Sequence, residues 1–448
     1  MDFNAFQAAV AEAAKAAGIA DYELYYQSAE STQVSTYCHE INEFSSAVEG
    51  GVCFRCIVNG KMGYASTEDL SVESAADVVR RAADNAAVLE SDEPVFLGEG
   101  GQSYQDVDRP DQAMPDTEVL VAKALEAEAA LYAAHPSVVD GSAINALGEK
   151  LQLAIVNSKG LNLRYERTLT GLVTVAVVEE DGEKADAYEV KVGDVSTMDL
   201  AAVTAKGVEK ARAKLGGEVA PTGSYPVVFA PSAMASLLAT YSPVFSSENA
   251  LKGLSKLQGK EGEAVASGIV TLVDDPFCPL SALPMPFDAE GTPTHKKEVV
   301  QAGRLETLLY NHKTAAQAGK VTTGNASKAG YNANVAVQPF TFYLAPGGMS
   351  EEELLAKAGH GVYINSLGGL HAGANVISGD FSLQSAGFMI ESGKKTTPVK
   401  SFTVAGNFFD VLKQITAVAN DLEVPNPSSM TCFGSPTVLV EGLSIAGK

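Results

Sequence analysis

The chain has 448 residues, 46% of them hydrophobic, with a mean hydropathy of +0.04, enough for two to three domains that each bury a core without disulfide staples. Its 32 basic and 55 acidic residues give a net charge of −23, spread along the chain, which disfavours direct binding to nucleic acid or an anionic membrane. Five sparse cysteines and an acidic start, where a signal peptide would have a basic flank, point to a reduced, cytoplasmic protein; no apolar run approaches the roughly 20 residues of a spanning helix.

In chain order, Phe3 to Ala17 has apolar residues at helical spacing and stops at Gly18. Gln33 to Tyr64 alternates as a strand meander with breaks at Asn42, Gly50-Gly51 and Asn59-Gly60, the last a good hairpin turn. Ser71 opens a helix to about Leu89, and the acidic, Pro- and Gly-rich segment from Glu90 to Glu118 reads as an exposed excursion. A helix from Thr117 to Ala134 follows, then strand-like alternation from Leu151 to Val178, a hairpin at Asp181-Gly182, and a helix from Thr197 to Leu215. Gly216 to Pro226 is the expected domain boundary, dividing the chain into 1–220 and 221–448. Beyond it come a strand at Val227 to Ala230, a helix at Ser232 to Tyr241, and a mostly β remainder with two further helices. One starts with a Ser350/Glu353 capping box and stops at Gly359; the other is capped by Asn407, shows an apolar face of Phe408, Val411, Leu412, Ile415 and Val418, and ends near Asn420.

The segment Gly368 to Asn420 is dense in Gly, Asn and Asp between regular elements, a composition that suits tight corners and close approach of backbone to a ligand or interface. Familiar catalytic patterns are near misses. His39-Glu40 lacks the second histidine of HExxH, and its surroundings alternate like a strand. Cys53 and Cys56 point to opposite faces of a strand, and no second CxxC completes four zinc ligands. The Gly-Lys pairs lack the rest of a phosphate loop, and Gly442-Leu-Ser444 reads as a strand rather than a nucleophile elbow. Among six histidines no two stand at i, i+4. His371, with Asp380 and Ser382 following, is the candidate for a polar cleft, and Cys432 is a loop thiol before a strand.

The segments Lys61 to Ser71 (KMGYASTEDLS), Tyr343 to Leu355 (YLAPGGMSEEELL), Ser378 to Lys394 (SGDFSLQSAGFMIESGK), Thr403 to Glu423 (TVAGNFFDVLKQITAVANDLE) and Ser435 to Gly447 (SPTVLVEGLSIAG) together resemble the TldD/PmbA family, once called modulators of DNA gyrase. In that family a catalytic TldD subunit carries His-Glu-x-x-x-His on a helix early in its second domain and a cysteine near the C-terminus, which hold a zinc for peptide hydrolysis. The corresponding helix here, Pro231 to Phe245, has neither His nor Glu, so the chain resembles the PmbA (TldE) side, and zinc is expected in the partner rather than at Cys432. The resemblance implies an α+β fold with two domains, each a largely antiparallel or mixed sheet packed with helices. It implies a heterodimer with a TldD-like metalloprotease acting on unfolded or ribosomally made peptides, this subunit being non-catalytic and bringing no cofactor. The expected peptide-chamber lining comes from Gly368 to Ser385 and Val321 to Asn332, namely Thr323, Gly324, Asn325, Gly369, His371, Gly379, Asp380 and Ser382. The alternatives are a self-contained hydrolase homodimer using His371, Asp380 and Cys432, and a peptide-binding regulatory protein.

Overall fold

The computed structural model describes residues 1–90, 93–108, 111–425 and 430–447. Helix α1 (Phe3–Ala16) starts where the Asp2 carboxylate accepts from the Ala5 amide, and its stripe Phe6, Val10 and Ala14 is buried. Strands β1 (Tyr22–Tyr37), β2 (Glu40–Val58) and β3 (Lys61–Thr67) form the meander, and α2 (Val72–Ala87), capped by Ser71, lies against it. After α3 (Thr117–Ala134) come β4 (Ala143–Asn157), β5 (Asn162–Glu180), β6 (Glu183–Val192) and α4 (Leu200–Arg212). The six strands pair antiparallel in the order β3-β2-β1-β4-β5-β6.

Three expectations shift here. The turn between β1 and β2 falls at Cys38 and His39, both at positive φ (53° and 66°), not at Asn42, which the register shift at Ser35/Thr36 leaves unpaired. His39 therefore lies in a turn and not on a strand, its ring 4.5 Å from that of Tyr132. Gly50-Gly51 continues β2 instead of breaking it: a Cβ at Gly50 would meet the Gln27 carbonyl at 2.4 Å, so glycine there lets two backbones approach. The stretch Leu151 to Val178 divides into two strands, because the Asn157 side chain accepts from the Lys159 and Leu161 amides and folds a turn between them. Asn59-Gly60 and Asp181-Gly182 do form hairpin turns, each with both residues at positive φ.

All four helices cover one face of the sheet, where Leu24, Phe54 and Cys56 meet α1 and α2 while Val34, Ile144 and Leu172 meet α3 and α4. The other face, with Tyr25, Cys53, Leu153, Ile155 and Tyr165, receives Met285 and Phe287 from the second half of the chain. Cys53 and Cys56 thus do sit on opposite faces, as a period of two requires. The segment after α2 is a strap rather than a free excursion: the Asn157 amide donates to the Gly98 carbonyl, and the Tyr104 hydroxyl donates to Gly291.

The second half begins with β7 (Glu218–Val219), β8 (Gly223–Phe229) and α5 (Pro231–Tyr241). Next come α6 (Ser247–Leu251), β9 (Leu272–Asp274), β10 (Lys297–Gln301), β11 (Arg304–Leu305), α7 (His312–Ala318), β12 (Ala326–Ser327), β13 (Ala336–Val337) and β14 (Thr341–Leu344). The chain continues through α8 (Glu351–Ala358), β15 (Gly361–Gly368), α9 (Leu370–Gly373), β16 (Asp380–Glu391), β17 (Lys394–Asn407) and α10 (Phe408–Gln414). It finishes with β18 (Ile415–Val418), β19 (Cys432–Gly434) and β20 (Val438–Ala446). Helices α6, α7 and α9 are additions to the two expected, all of seven residues or fewer.

One sheet runs β18-β20-β8-β15-β16-β17-β7, and β20 also pairs with β17, so β20, β8, β15, β16 and β17 close into a ring. Val227, Phe229, Val362 and Ile364 enter one core while Val228 and Tyr363 face α8 on the other side. A second sheet, β11-β10-β9-β14-β19, has β14 and β19 parallel. The Ser350/Glu353 box caps α8 from both sides. The last expected helix is shorter than its apolar pattern: it ends at Gln414 because Ile415–Val418 pairs with β20. The architecture is α+β, mixed sheets packed with helices.

Candidate functional site

Strand β8 feeds α5 directly, with Pro231 at the first helical position, where a missing amide costs nothing. The helix packs against β15 and β19, and Met234, Leu237, Leu238 and Tyr241 are fully buried. Tyr241 stacks on Phe408 at 4.5 Å, and its hydroxyl donates to the Asp380 carbonyl at 2.9 Å, tying α5 to the start of β16. The helix carries no His, Cys, Asp or Glu. Its neighbour β19 carries Cys432, buried, with the Ser281 hydroxyl donating to its sulfur at 3.3 Å. Burial pushes that thiol's pKa up, away from the thiolate a metal needs. Among the described residues no three His, Cys, Asp or Glu side chains converge as a metal site. The donors at this position do not fit a catalytic zinc, which takes three protein ligands.

The corner between β15 and β16 is built from local hydrogen bonds. Gly369 (φ 73°) starts the α9 turn, and the Asn375 side chain accepts from the Ile377 and Ser378 amides. The Asn407 amide donates to the Ser378 carbonyl and to Asp380 Oδ1 at 2.8 Å. Hydrogen bonds from Asn407 and Ser378 hold the exposed Asp380 carboxyl below its ordinary range. His371 and Ser382 are also exposed. Lys256 Nζ donates to the Ser378 carbonyl beside an open depression of about 410 Å³ that Asn375, Ile377 and Ser378 also line.

Thr323, Gly324 and Asn325 lie elsewhere, over β9. The Asn325 side chain is fully enclosed, its amide donating to Asp274 Oδ2 (2.7 Å) and to the Gln338 carbonyl (3.0 Å), while the Thr323 hydroxyl donates to its oxygen. Lys297 completes this network 3.1 Å from the same Asp274 oxygen. Among the described residues no hydrogen bond or ion pair joins His371, Asp380 and Cys432: the first two lie at the exposed corner, the third is buried on the other sheet.

Sequence reasoning missed a polar junction between the two halves. Arg55 and Glu23 form a buried pair at 2.6 Å, and Asn157 donates to the other Glu23 oxygen. Asp288 accepts from the Glu290, Thr292 and Ala326 amides, yet burial and the nearby Glu290 push its pKa up to about 7. On the Arg55 and Glu290 side of the junction opens a cleft of about 380 Å³, lined also by Tyr64, Phe96, Lys313 and Asn334 among others. The available signal was a single charge inside each of two apolar runs, YELYY and CFRC.

Comparison with known proteins gives the frame for these sites. Three family profiles align in order: PmbA/TldA metallopeptidase domain 1 over residues 22–86, the central domain over 110–215 and the C-terminal domain over 222–447. The chain belongs to the PmbA/TldD metallopeptidase family. Its PmbA/TldD relatives include metalloprotease PmbA of Escherichia coli O157:H7, 26% identical over 93% of this chain and 90% of that protein. A Thermotoga maritima structure, named as a candidate modulator of a DNA gyrase, superposes with a TM-score of 0.88 at 28% identity, covering 99% of this chain and 100% of that one. TldE from Thermococcus kodakarensis shares the fold, with a TM-score of 0.87 at 23% identity over 99% and 100% of the two chains. In this PmbA/TldD member the profiles for domain 1 and the central domain meet in one continuous sheet, joined by β1 and β4.

Proposed function

We propose that this chain is the non-catalytic, PmbA/TldE-type subunit of a TldD/TldE-type zinc metalloprotease complex that acts in the cytoplasm on unfolded or ribosomally made peptides. The observation that carries the reading is the composition of α5. It occupies the start of the metallopeptidase C-terminal domain, against the strand that bears Cys432, and offers that position no metal donor and no carboxylate base. Hydrolysis then falls to the partner's metal, while this subunit's two domains, 1–220 and 221–448, shape the chamber.

Within that reading the corner from Gly369 to Ser382 lines the chamber. Its tight turns expose backbone, and Asp380, held charged by Asn407, offers an acceptor for a peptide amide or an amino terminus. Thr323 and Gly324 line the chamber from the separate segment over β9, which the enclosed Asn325 fixes through the Asp274 network. Metal content by mass spectrometry, with cleavage of an unfolded peptide library by this chain alone and with a TldD-type partner, tests the assignment. No stoichiometric zinc, and cleavage only with the partner, is expected; stoichiometric zinc with chelator-sensitive cleavage by this chain alone overturns it. Alanine at His371, Asp380 and Ser382 together lowers the complex's kcat/KM, and an unchanged value removes the lining role.

A further inference from the structure

Strand β2 is half bare. It pairs with β1 from Glu40 to Cys56, apart from the bulged Asn42, but β3 covers its other edge only from Val52 to Val58. From Glu40 to Gly50 no strand or isolated bridge among the described residues takes the outer edge, and Glu40 to Glu49 are all exposed. Eleven residues of open edge span roughly 35 Å, with alternate amides and carbonyls turned outward. The covered part stops where Gly51 abuts Thr67 and the Tyr331 ring.

The side chains along this edge are sorted by face. The register places Ile41 opposite Thr36, Phe44 opposite Val34 and Val48 opposite Glu30, so the bulge at Asn42 brings all three apolar residues to the face that carries α3. They extend that core beyond its margin and stay uncovered: Ile41 is 38% exposed, Phe44 48% and Val48 74%. On the opposite face stand Glu43, Ser45, Ala47 and Glu49. Soluble proteins guard open edges, because such edges template pairing with other chains. Here the guard is purely acidic, with no Lys or Pro between Glu40 and Gly50.

That arrangement selects the occupant. In the twofold antiparallel register that sets Phe44 opposite Val48 of a second copy, Glu43 falls opposite Glu49 twice, and like charges directly opposite are destabilising. The net charge of −23 adds to the repulsion. We propose that the outer edge of β2, Glu40 to Gly50, is a docking edge for an unpaired strand of a different protein chain, one with apolar residues on one face and Lys or Arg on the other. Such a strand continues the sheet, covers Ile41, Phe44 and Val48, and neutralises Glu43 and Glu49. This deepens the reading above, on which the strand belongs to the TldD-type partner.

The test mixes this chain with the HExxxH-bearing family member of the same organism and follows affinity by calorimetry and amide protection by hydrogen exchange. Protection of residues 40–50 on complex formation is expected, with at least tenfold weaker binding for Val48→Asp and for Glu43→Lys/Glu49→Lys. These sites are exposed, so far-UV circular dichroism of the free variants stays at wild type. A complex that forms with residues 40–50 unprotected and all variants within twofold overturns the edge assignment and leaves the subunit reading standing. No complex at all, with cleavage by this chain alone, overturns both. Protection of the same amides by self-association overturns the heterologous occupant.

Discussion

Lys297→Met isolates the buried charge beneath the Asn325 network. Asp274 has no solvent exposure and the Lys297 side chain 7%, with Nζ 3.1 Å from Oδ2. The same carboxylate accepts from Asn325 Nδ2 at 2.7 Å and from the Phe340 amide at 2.8 Å. Methionine keeps most of the lysine stem and deletes the charge, so an anion remains in a low-dielectric site with only two neutral donors. Removing one member of a buried pair costs about 3–5 kcal/mol, and the two surviving donors place this case near the lower figure. Spread over a domain of this size, about 3 kcal/mol lowers Tm by roughly 6–12 °C. Urea unfolding followed by far-UV circular dichroism, run as a double-mutant cycle with Asp274→Asn, measures the coupling directly. The double variant should recover at least about 1 kcal/mol relative to Lys297→Met, because no net charge is then buried. A Tm shift below about 2 °C, or a coupling within about 0.5 kcal/mol of zero, refutes the reasoning.

Asp288 has a folded-state pKa near 7 against an ordinary 3.8, so it binds a proton more tightly folded than unfolded. Its contribution is fully present below about pH 4 and lost as pH rises through about 7. The Tm advantage of wild type over Asp288→Asn should therefore shrink between pH 5 and pH 8; a constant difference contradicts this. Gly379→Ala forces a Cβ to φ 83° and to 2.6 Å from the Phe409 ring, and it should cost at least about 1–2 kcal/mol and speed amide exchange from Asn375 to Asp380. Wild-type stability in that variant would show that the corner is not fixed by this turn. A maleimide dye should label one thiol per native chain, the exposed Cys38, and four more after denaturation; rapid native labelling of Cys432 would contradict its burial.

Local features were legible. The Ser350/Glu353 box, the Asn59-Gly60 turn and the opposed faces of Cys53 and Cys56 depend on residues a few positions apart, and the sequence pattern contains them whole. The failures trace to tertiary contacts. Cys38 and His39 are poor turn formers by propensity, yet His39 packs on Tyr132 from α3, nearly a hundred residues on. Ile415 and Val418 fit an apolar helix stripe, but β20 claims them as a strand. At the site, the missing donors of α5 were readable because absence within one helix is a local fact. The Glu23–Arg55 pair and the Asp274–Lys297–Asn325 network were not, since each brings together segments separated by tens of residues.

The ring closed by β20 has a consequence for how the chain is made. Strand β8 ends at Phe229 and its antiparallel neighbour β20 starts at Val438, so 208 residues must be synthesised between them. At about 5–20 residues per second that is roughly 10–40 s during which Val227, Val228 and Phe229, all fully enclosed in the finished fold, lack one wall of their core. A nascent chain of this kind is a natural client for holding chaperones, and slower translation before codon 438 would lengthen the interval in which it can aggregate.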